Sequence, residues 1–152
     1  MDDASVTEPQ VEFAVLADAA TAAEGKLYVH GAGWDTIWAN AFPVSHPSLA
    51  IALRITVPWT RANQPFELDI DLEDEDGASI LAELGSPRPR QTFELARPEG
   101  VPPGSDLGLV YTFTFNGLPF TRAGGYAFVL RLDGREANRL RFREAAPAVS
   151  GD

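Results

Sequence analysis

Apolar side chains in this chain return at every second residue, segment after segment. Leu49, Ile51, Leu53, Ile55 and Val57 alternate with Ala50, Ala52, Arg54 and Thr56. Phe66, Leu68, Ile70 and Leu72 alternate with Glu67, Asp69, Asp71 and Glu73. Leu109, Tyr111, Phe113 and Phe115 form a third series, and Tyr126, Phe128, Leu130 and Leu132 a fourth. A period of two is the side-chain repeat of a pleated strand, which turns successive residues to opposite faces. Each series therefore predicts a strand with one face against a core. Asp76-Gly77 and Asp133-Gly134 close two of them, and Asp-Gly tolerates the positive φ angles of tight hairpins.

The segments between these strands predict the remaining elements. Residues 1–10 carry no pattern and predict a disordered leader. Val11 to Leu16 predicts the first strand, and the alanine-rich Asp18 to Gly25 fits one helical turn with a glycine cap. Lys26 to Gly31 and Trp34 to Ala39 predict two strands around the Gly31-Ala32-Gly33 bend. Pro58 ends the Leu49 strand, because proline has no N–H for the ladder. Ser79 to Leu84 reads as a returning hairpin strand and Pro87 to Leu95 as a weaker one. Arg97 to Gly108, rich in proline and glycine, reads as a long surface loop. The last strand runs to Phe142 and is expected at a sheet edge; residues 145–152 predict a flexible tail. Roughly nine or ten short strands without a long helix predict one all-β domain over residues 11–144. The expected fold is a two-layer antiparallel β-sandwich, immunoglobulin-like or C2-like, with an eight-stranded barrel as the alternative.

Composition narrows what such a domain does. The 152 residues suffice for a core without staples, and the absence of cysteine rules out disulfides and thiolate metal sites. Asp and Glu number 22 against 12 Lys and Arg, a formal net charge of -10. Nucleic acids and anionic membrane surfaces are held by clustered lysine and arginine, so neither is an expected partner. No apolar run approaches the roughly 20 residues that span a bilayer. The acidic start Met1-Asp2-Asp3-Ala4-Ser5 lacks the basic and apolar regions of a secretory signal, which makes the cytoplasm the expected compartment.

Several clusters qualify as candidate chemistry. The acidic run Asp69, Asp71, Glu73, Asp74, Glu75, Asp76 invites calcium, which takes six to eight oxygens. Asp69 and Asp71 lie on a strand face, however, and Asp74 stands where an EF-hand loop requires glycine, so a solvated strand face and acidic hairpin tip is the simpler reading. Asp74 and Asp76 remain the weak metal alternative. His30 and His46 are the only histidines, and neither has a local metal-ligating companion. No Gly-x-Ser-x-Gly elbow occurs, and among 22 acids the presence of two carboxylates identifies no glycosidase. Trp34 and Trp38, with Thr36, share one face of a short strand and offer either a stacking platform for a sugar, a core plug or an interface; Trp59 follows Pro58 at a polar turn. Arg139, Arg141 and Arg143 form a basic stripe opposite in sign to the Glu67, Asp69, Asp71, Glu73 face. The two either pair across strands within the molecule or serve as docking patches.

The run Phe13-Ala14-Val15-Leu16-Ala17-Asp18, with Gly31-Ala32-Gly33-Trp34-Asp35, Val57-Pro58-Trp59, Asp74-Glu75-Asp76-Gly77 and Gly125-Tyr126-Ala127-Phe128, resembles an uncharacterised bacterial single-domain family known mainly from actinobacteria. The resemblance spans about residues 11 to 143 and transfers no catalytic residue. The second half resembles, more generally, immunoglobulin-like repeats of bacterial proteins. The expectation is a non-enzymatic binding or assembly protein without a cofactor, its partner itself or another protein of a larger complex. The alternative is a ligand-binding module, for carbohydrate at the tryptophans or calcium at the acidic loop.

Overall fold

The structure, a computed structural model, describes residues 7–147, and nine strands make up most of it. Residues 1–6 of the expected leader and 148–152 of the expected tail lie outside the described residues. The strands are β1 (Gln10–Ala23), β2 (Lys26–Ala32), β3 (Thr36–Trp38), β4 (Val44–Val57), β5 (Phe66–Asp74), β6 (Arg90–Phe93), β7 (Leu107–Phe120), β8 (Gly124–Leu132) and β9 (Arg135–Ala145), with one helical turn, α1 (Ile80–Glu83), after β5. They form two sheets, ordered β2-β1-β4-β7 and β3-β9-β8-β5-β6. All pairings are antiparallel except the short parallel β3–β9 ladder. The protein is thus an all-β, two-layer sandwich. No described helix is long and apolar enough to cross a membrane.

The period-two series land as expected. Leu49, Ile51, Leu53, Ile55 and Val57 of β4 are buried, as are Phe66, Leu68, Ile70 and Leu72 of β5 and Tyr126, Phe128, Leu130 and Leu132 of β8. Tyr111 and Phe113 pack against this core but stay half-buried, because β7 is the outer strand of its sheet. Aromatic rings tie the two layers together. Phe115 of one sheet stacks on Phe128 of the other with centroids 5.1 Å apart; Phe128 stacks on Phe142 at 5.4 Å, and Phe142 on Tyr126 at 5.8 Å.

Three expectations about local structure are corrected. Asp18 to Gly25 is no helical turn: β1 runs straight through its alanines to Ala23. Glu24 and Gly25, at φ 52° and 73°, supply the two consecutive positive-φ residues of a tight hairpin, and that hairpin outweighs alanine's helical propensity. The return expected over Ser79 to Leu84 lasts one residue, an antiparallel bridge from Ser79 to Glu73, after which Ile80 to Glu83 form α1, capped by the Ser79 hydroxyl, which accepts from the Ala82 N–H at 3.1 Å. The last strand is an edge only as far as Phe142, since β3 pairs with Arg143 to Ala145 beyond it.

One buried polar contact joins the layers. Glu144 of β9 is 1% exposed, and the His46 Nε2 of β4 lies 2.7 and 2.9 Å from its two carboxylate oxygens. Burial pushes the Glu144 carboxyl up, while His46 pulls it back. A buried carboxylate is tolerable only with such a partner.

Two measurements check this account by urea denaturation. Phe128→Ala removes the ring that both layers stack on and is expected to cost about 3–5 kcal/mol; a loss below about 1 kcal/mol contradicts the packing described. His46→Ala strands a buried carboxylate and is expected to cost about 3 kcal/mol, more than the joint change His46→Leu with Glu144→Leu, which removes both polar groups. A double variant no more stable than the single one contradicts the pairing.

Candidate functional site

The outer face of the five-stranded sheet carries the charge pattern seen in the sequence. Register sets it out in rows across β5, β8 and β9. Asp69 pairs with Arg131 and Arg131 with Glu136; Asp71 pairs with Val129 and Val129 with Arg139; Glu73 pairs with Ala127 and Ala127 with Arg141; Gly125 pairs with Arg143. Arg143 in turn lies beside Thr36 of β3. The acidic face and the arginine stripe therefore occupy one surface, separated by a single strand. A groove of about 690 Å³ runs between them, with Glu73 to Gly77 along one wall, Gly125 and Ala127 in the floor, and Arg139, Arg141 and Arg143 along the other.

Half of these charges are already spent. Glu73 receives Arg131 at 3.3 Å and Arg139 at 3.2 Å, and Arg139 also donates to Glu136 at 2.8 Å. These contacts hold the Arg139 guanidinium above its usual pKa and Glu136 below the usual carboxylate range, its bond to Arg139 leading. Asp71 is buried; its Oδ1 accepts from the Ser79 hydroxyl and the Leu72 N–H, both at 2.8 Å. Asp69 is buried too, and its Oδ1 has no hydrogen-bond partner among the described residues. The expected solvated acidic face is thus buried at Asp69 and Asp71, and Asp71 is covered by the Ser79 hydroxyl ahead of α1 and the Arg88 guanidinium ahead of β6. Glu67, farther along β5, is half-buried and pairs with Thr92.

The other half is open. Arg141 and Arg143 are exposed and have no carboxylate within 4.0 Å among the described residues. Glu75 and Asp76 are exposed on the opposite wall, likewise without a cationic partner there. Glycine makes the floor low enough for this. A Cβ on Gly124 would lie 3.0 Å from Glu75 Oε1, and one on Gly125 3.3 Å from Glu75 Oε2, so the Glu75 carboxylate rests where side chains are missing.

Asp74 is a building element of the acidic wall. Its Oδ1 accepts from the Asp76 and Ala78 N–H groups at 2.9 and 3.0 Å, and Arg122 donates to its Oδ2 at 2.7 Å. Arg122 is itself steadied by the Tyr126 hydroxyl, which donates to its carbonyl at 2.6 Å. With both oxygens engaged, Asp74 shapes the hairpin tip, and no group of three or more His, Cys, Asp or Glu among the described residues suits a metal ion. The calcium alternative at Asp74 and Asp76 thus lacks a ligand set among them.

The tryptophans do not assemble as one platform. Trp34 precedes β3 rather than lying on it; its Nε1 donates to the Gly31 carbonyl at 2.6 Å and its ring meets Phe142 edge-on at 6.4 Å. Trp38 is 66% exposed at the sheet edge. Trp59 is half-buried under the Arg97 guanidinium, 4.3 Å from the ring centroid. The shared face expected for Trp34 and Trp38 fails because β3 is only three residues long. Sequence reasoning passed over Glu144 and saw no partner for His46. The available signal was parity: Leu140 and Phe142 face inward, so Glu144 at the next inward position must be buried and paired.

The Ala78 N–H, chiefly, holds the Asp74 carboxyl below its ordinary value of 3.8, with the Asp76 N–H and Arg122 adding to it and burial opposing. A carboxyl whose folded value is depressed contributes stability above its unfolded value and loses it as pH falls through the folded one. Asp74→Asn is therefore expected to lower the melting temperature at neutral pH and to flatten its fall below pH 3.8. An acid limb as steep as that of the wild type contradicts the role given to this carboxylate.

Comparison with known proteins adds a family and no activity. No curated protein matches the chain. Among solved structures it is similar to the Pseudomonas fluorescens alkylpurine DNA glycosylase AlkC bound to DNA containing an abasic site analog, with a TM-score of 0.39 at 9% identity. That match covers 93% of this chain and 32% of the glycosylase, so this chain spans about a third of that protein. The resemblance read from Phe13 to Phe128 is borne out more directly: a family model matches residues 12–143, and the chain belongs to that family of unknown function, DUF6941.

Proposed function

We propose that the protein is a non-enzymatic binding and assembly module of the cytoplasm, which docks a protein segment carrying both charge signs into the groove between β5 and β9. One observation carries the reading. Arg141 and Arg143 on one wall, and Glu75 and Asp76 on the other, are exposed without ion-pair partners among the described residues, although their neighbours Glu73, Arg131 and Arg139 are all paired. Charges this close to opposite charge ordinarily find a partner within the molecule when geometry permits. Across β8 Arg139 still reaches Glu73 at 3.2 Å, but at the open end Glu75 lies over Gly124 and Gly125 and neither Arg141 nor Arg143 has a carboxylate within 4.0 Å among the described residues. A guest that carries an acid toward β9 and a base toward β5 supplies both partners at once.

The polarity also selects against other guests. A nucleic acid or an anionic membrane meets the acidic wall and a net charge of -10. A protein segment bears both signs and meets neither obstacle. Rim charges of this kind govern association rate and specificity more than raw affinity, so a modest, salt-sensitive affinity is expected.

Fluorescence anisotropy with a labelled peptide, acidic in one half and basic in the other, tests the proposal. Binding is expected at low salt, weakened roughly tenfold or more by Arg141→Glu with Arg143→Glu. Absence of binding at low salt, or binding equal in that variant, overturns the groove as the docking site.

A further inference from the structure

The four-stranded sheet ends in a 14-residue strand that carries no charged side chain. β7 is bonded to β4 along one flank over its whole length and has no strand on the other. On that open flank its N–H and C=O groups have no backbone partner among the described residues. We propose that a second copy of this chain adds at this edge, β7 beside β7 and antiparallel, about a two-fold axis perpendicular to the sheet. The groove plays no part in this contact, because it lies on the other layer.

Open strand edges are templates for pairing, and folded proteins blunt them with short strands, charges, prolines or bulges. The other three outermost strands follow that rule. β3 has three residues, and β6 has four and opens with Arg90. β2 opens with Lys26 and contains Gly31 at φ 71°. β7 has none of these protections from Leu107 to Asn116; Gly117, at φ 69°, and Pro119 come only afterwards. Its sequence there is rich in the aromatic and β-branched residues that favour strands. The inner side chains at this edge are also incompletely covered. Leu109, Tyr111 and Phe113 pack on the core yet stay half-buried. Tyr111 meets Phe93 at 5.2 Å and Phe113 meets Phe115 at 4.8 Å, contacts made within the chain that leave the open flank free.

Charge and symmetry identify the incoming strand. Two bodies of net charge -10 repel, so they meet best where charge is absent, and β7 is free of it from end to end. An antiparallel pair of identical strands complements itself, since residue i meets j and j meets i. Strict alternation makes the two faces match as well. About a centre at Thr112, Tyr111 meets Phe113 and Leu109 meets Phe115 on the inner face, while Val110 meets Thr114 outside. Cross-strand pairs of aromatic and β-branched residues are the kind that stabilise a sheet. A foreign strand needs a matching uncharged segment, which a second copy already has. The two-fold axis uses up the β7 edge of both copies, so this contact closes as a dimer.

Thr112 and Thr114 lie on the outer face of β7, beside Ala52 and Ala50 of β4, and offer the test. Thr112→Lys with Thr114→Lys sets like charges opposite one another across the paired edges, and Thr112→Glu with Thr114→Glu does so with the other sign. By sedimentation velocity from low to high micromolar concentration, the wild type is expected to pass from 16.4 kDa to twice that mass. Each variant is expected to stay monomeric, and their equimolar mixture to dimerise again as Lys meets Glu. Amide exchange followed by NMR on the wild type locates the contact even where a variant fails to fold. As the protein is concentrated, every second amide from Leu107 to Asn116, those pointing away from β4, is expected to slow roughly tenfold or more. Three results overturn the proposal: a wild type monomeric throughout, a dimer whose β7 amides exchange as fast as those of the monomer, or a dimer indifferent to both folded variants.

Discussion

A carboxylate taken out of water sets the terms for one whole side of this molecule. Glu144 is the most deeply buried charge in the described chain, and His46 meets both of its oxygens. Its position fixes which way β9 faces. Side chains on a strand alternate strictly, so a slip of one residue would carry Glu144 to the surface and drive Arg143 into the aromatic core. With Glu144, Phe142 and Leu140 inside, Arg139, Arg141 and Arg143 have to stand outside. The buried pair thus does more than join β4 to β9: it aims the arginine wall of the groove. A buried polar pair contributes little net stability over a well-packed apolar pair, so what it adds here is register rather than strength.

Once β9 is oriented, the fate of each arginine follows from its distance to acid. Arg139 reaches Glu73 and Glu136, and Arg131, on the strand between, reaches Glu73 as well. Toward the other end of the sheet β8 narrows to Ala127 and Gly125, which contribute no cation and no bridge. There the β5 side ends in a hairpin whose tip is shaped by Asp74, and Glu75 leans over the two glycines without reaching Arg141 or Arg143. A single face therefore changes along its length from a closed ion-pair network to an open, bipolar groove. The change tracks the side chains of β8, from Arg131 through Val129 and Ala127 to Gly125.

How far the sequence discloses this depends on the kind of information a position carries. Where one face of a strand is apolar and the other polar, as in β4, β5 and β8, period and burial agree and the layers follow. Asp18 to Ala23 misled because alanine suits a helix as well as a flat strand; the decisive signal was the pair Glu24-Gly25, a turn that needs no Asn or Asp. Ser79 misled in the opposite direction, since a cap three residues before Ala82 was read as the start of a strand. Asp69 and Asp71 sit on the outward parity of β5, as read, yet are buried. Parity reports the face of a sheet and not what folds across it, and α1 with the segment before β6 lies outside any strand period. Trp34 fell outside its strand because β3 is too short to impose alternation.

The groove was half legible for the same reason. The arginine stripe and the acidic stripe are each plain in the sequence, but their relation is a matter of strand order, which alternation does not encode. Had β5 and β9 been direct neighbours, every row would have closed as an ion pair about 5 Å across, and the surface would be inert. Had they lain in different sheets, the two stripes would be separate patches of opposite sign. With one strand between them the two stripes still meet where Arg139 crosses to Glu73; only at the other end, where that strand carries glycine and alanine, do both walls stay charged, close and unsatisfied among the described residues. The charge pattern of the face thus resides in the order β9-β8-β5, more than in any residue taken alone.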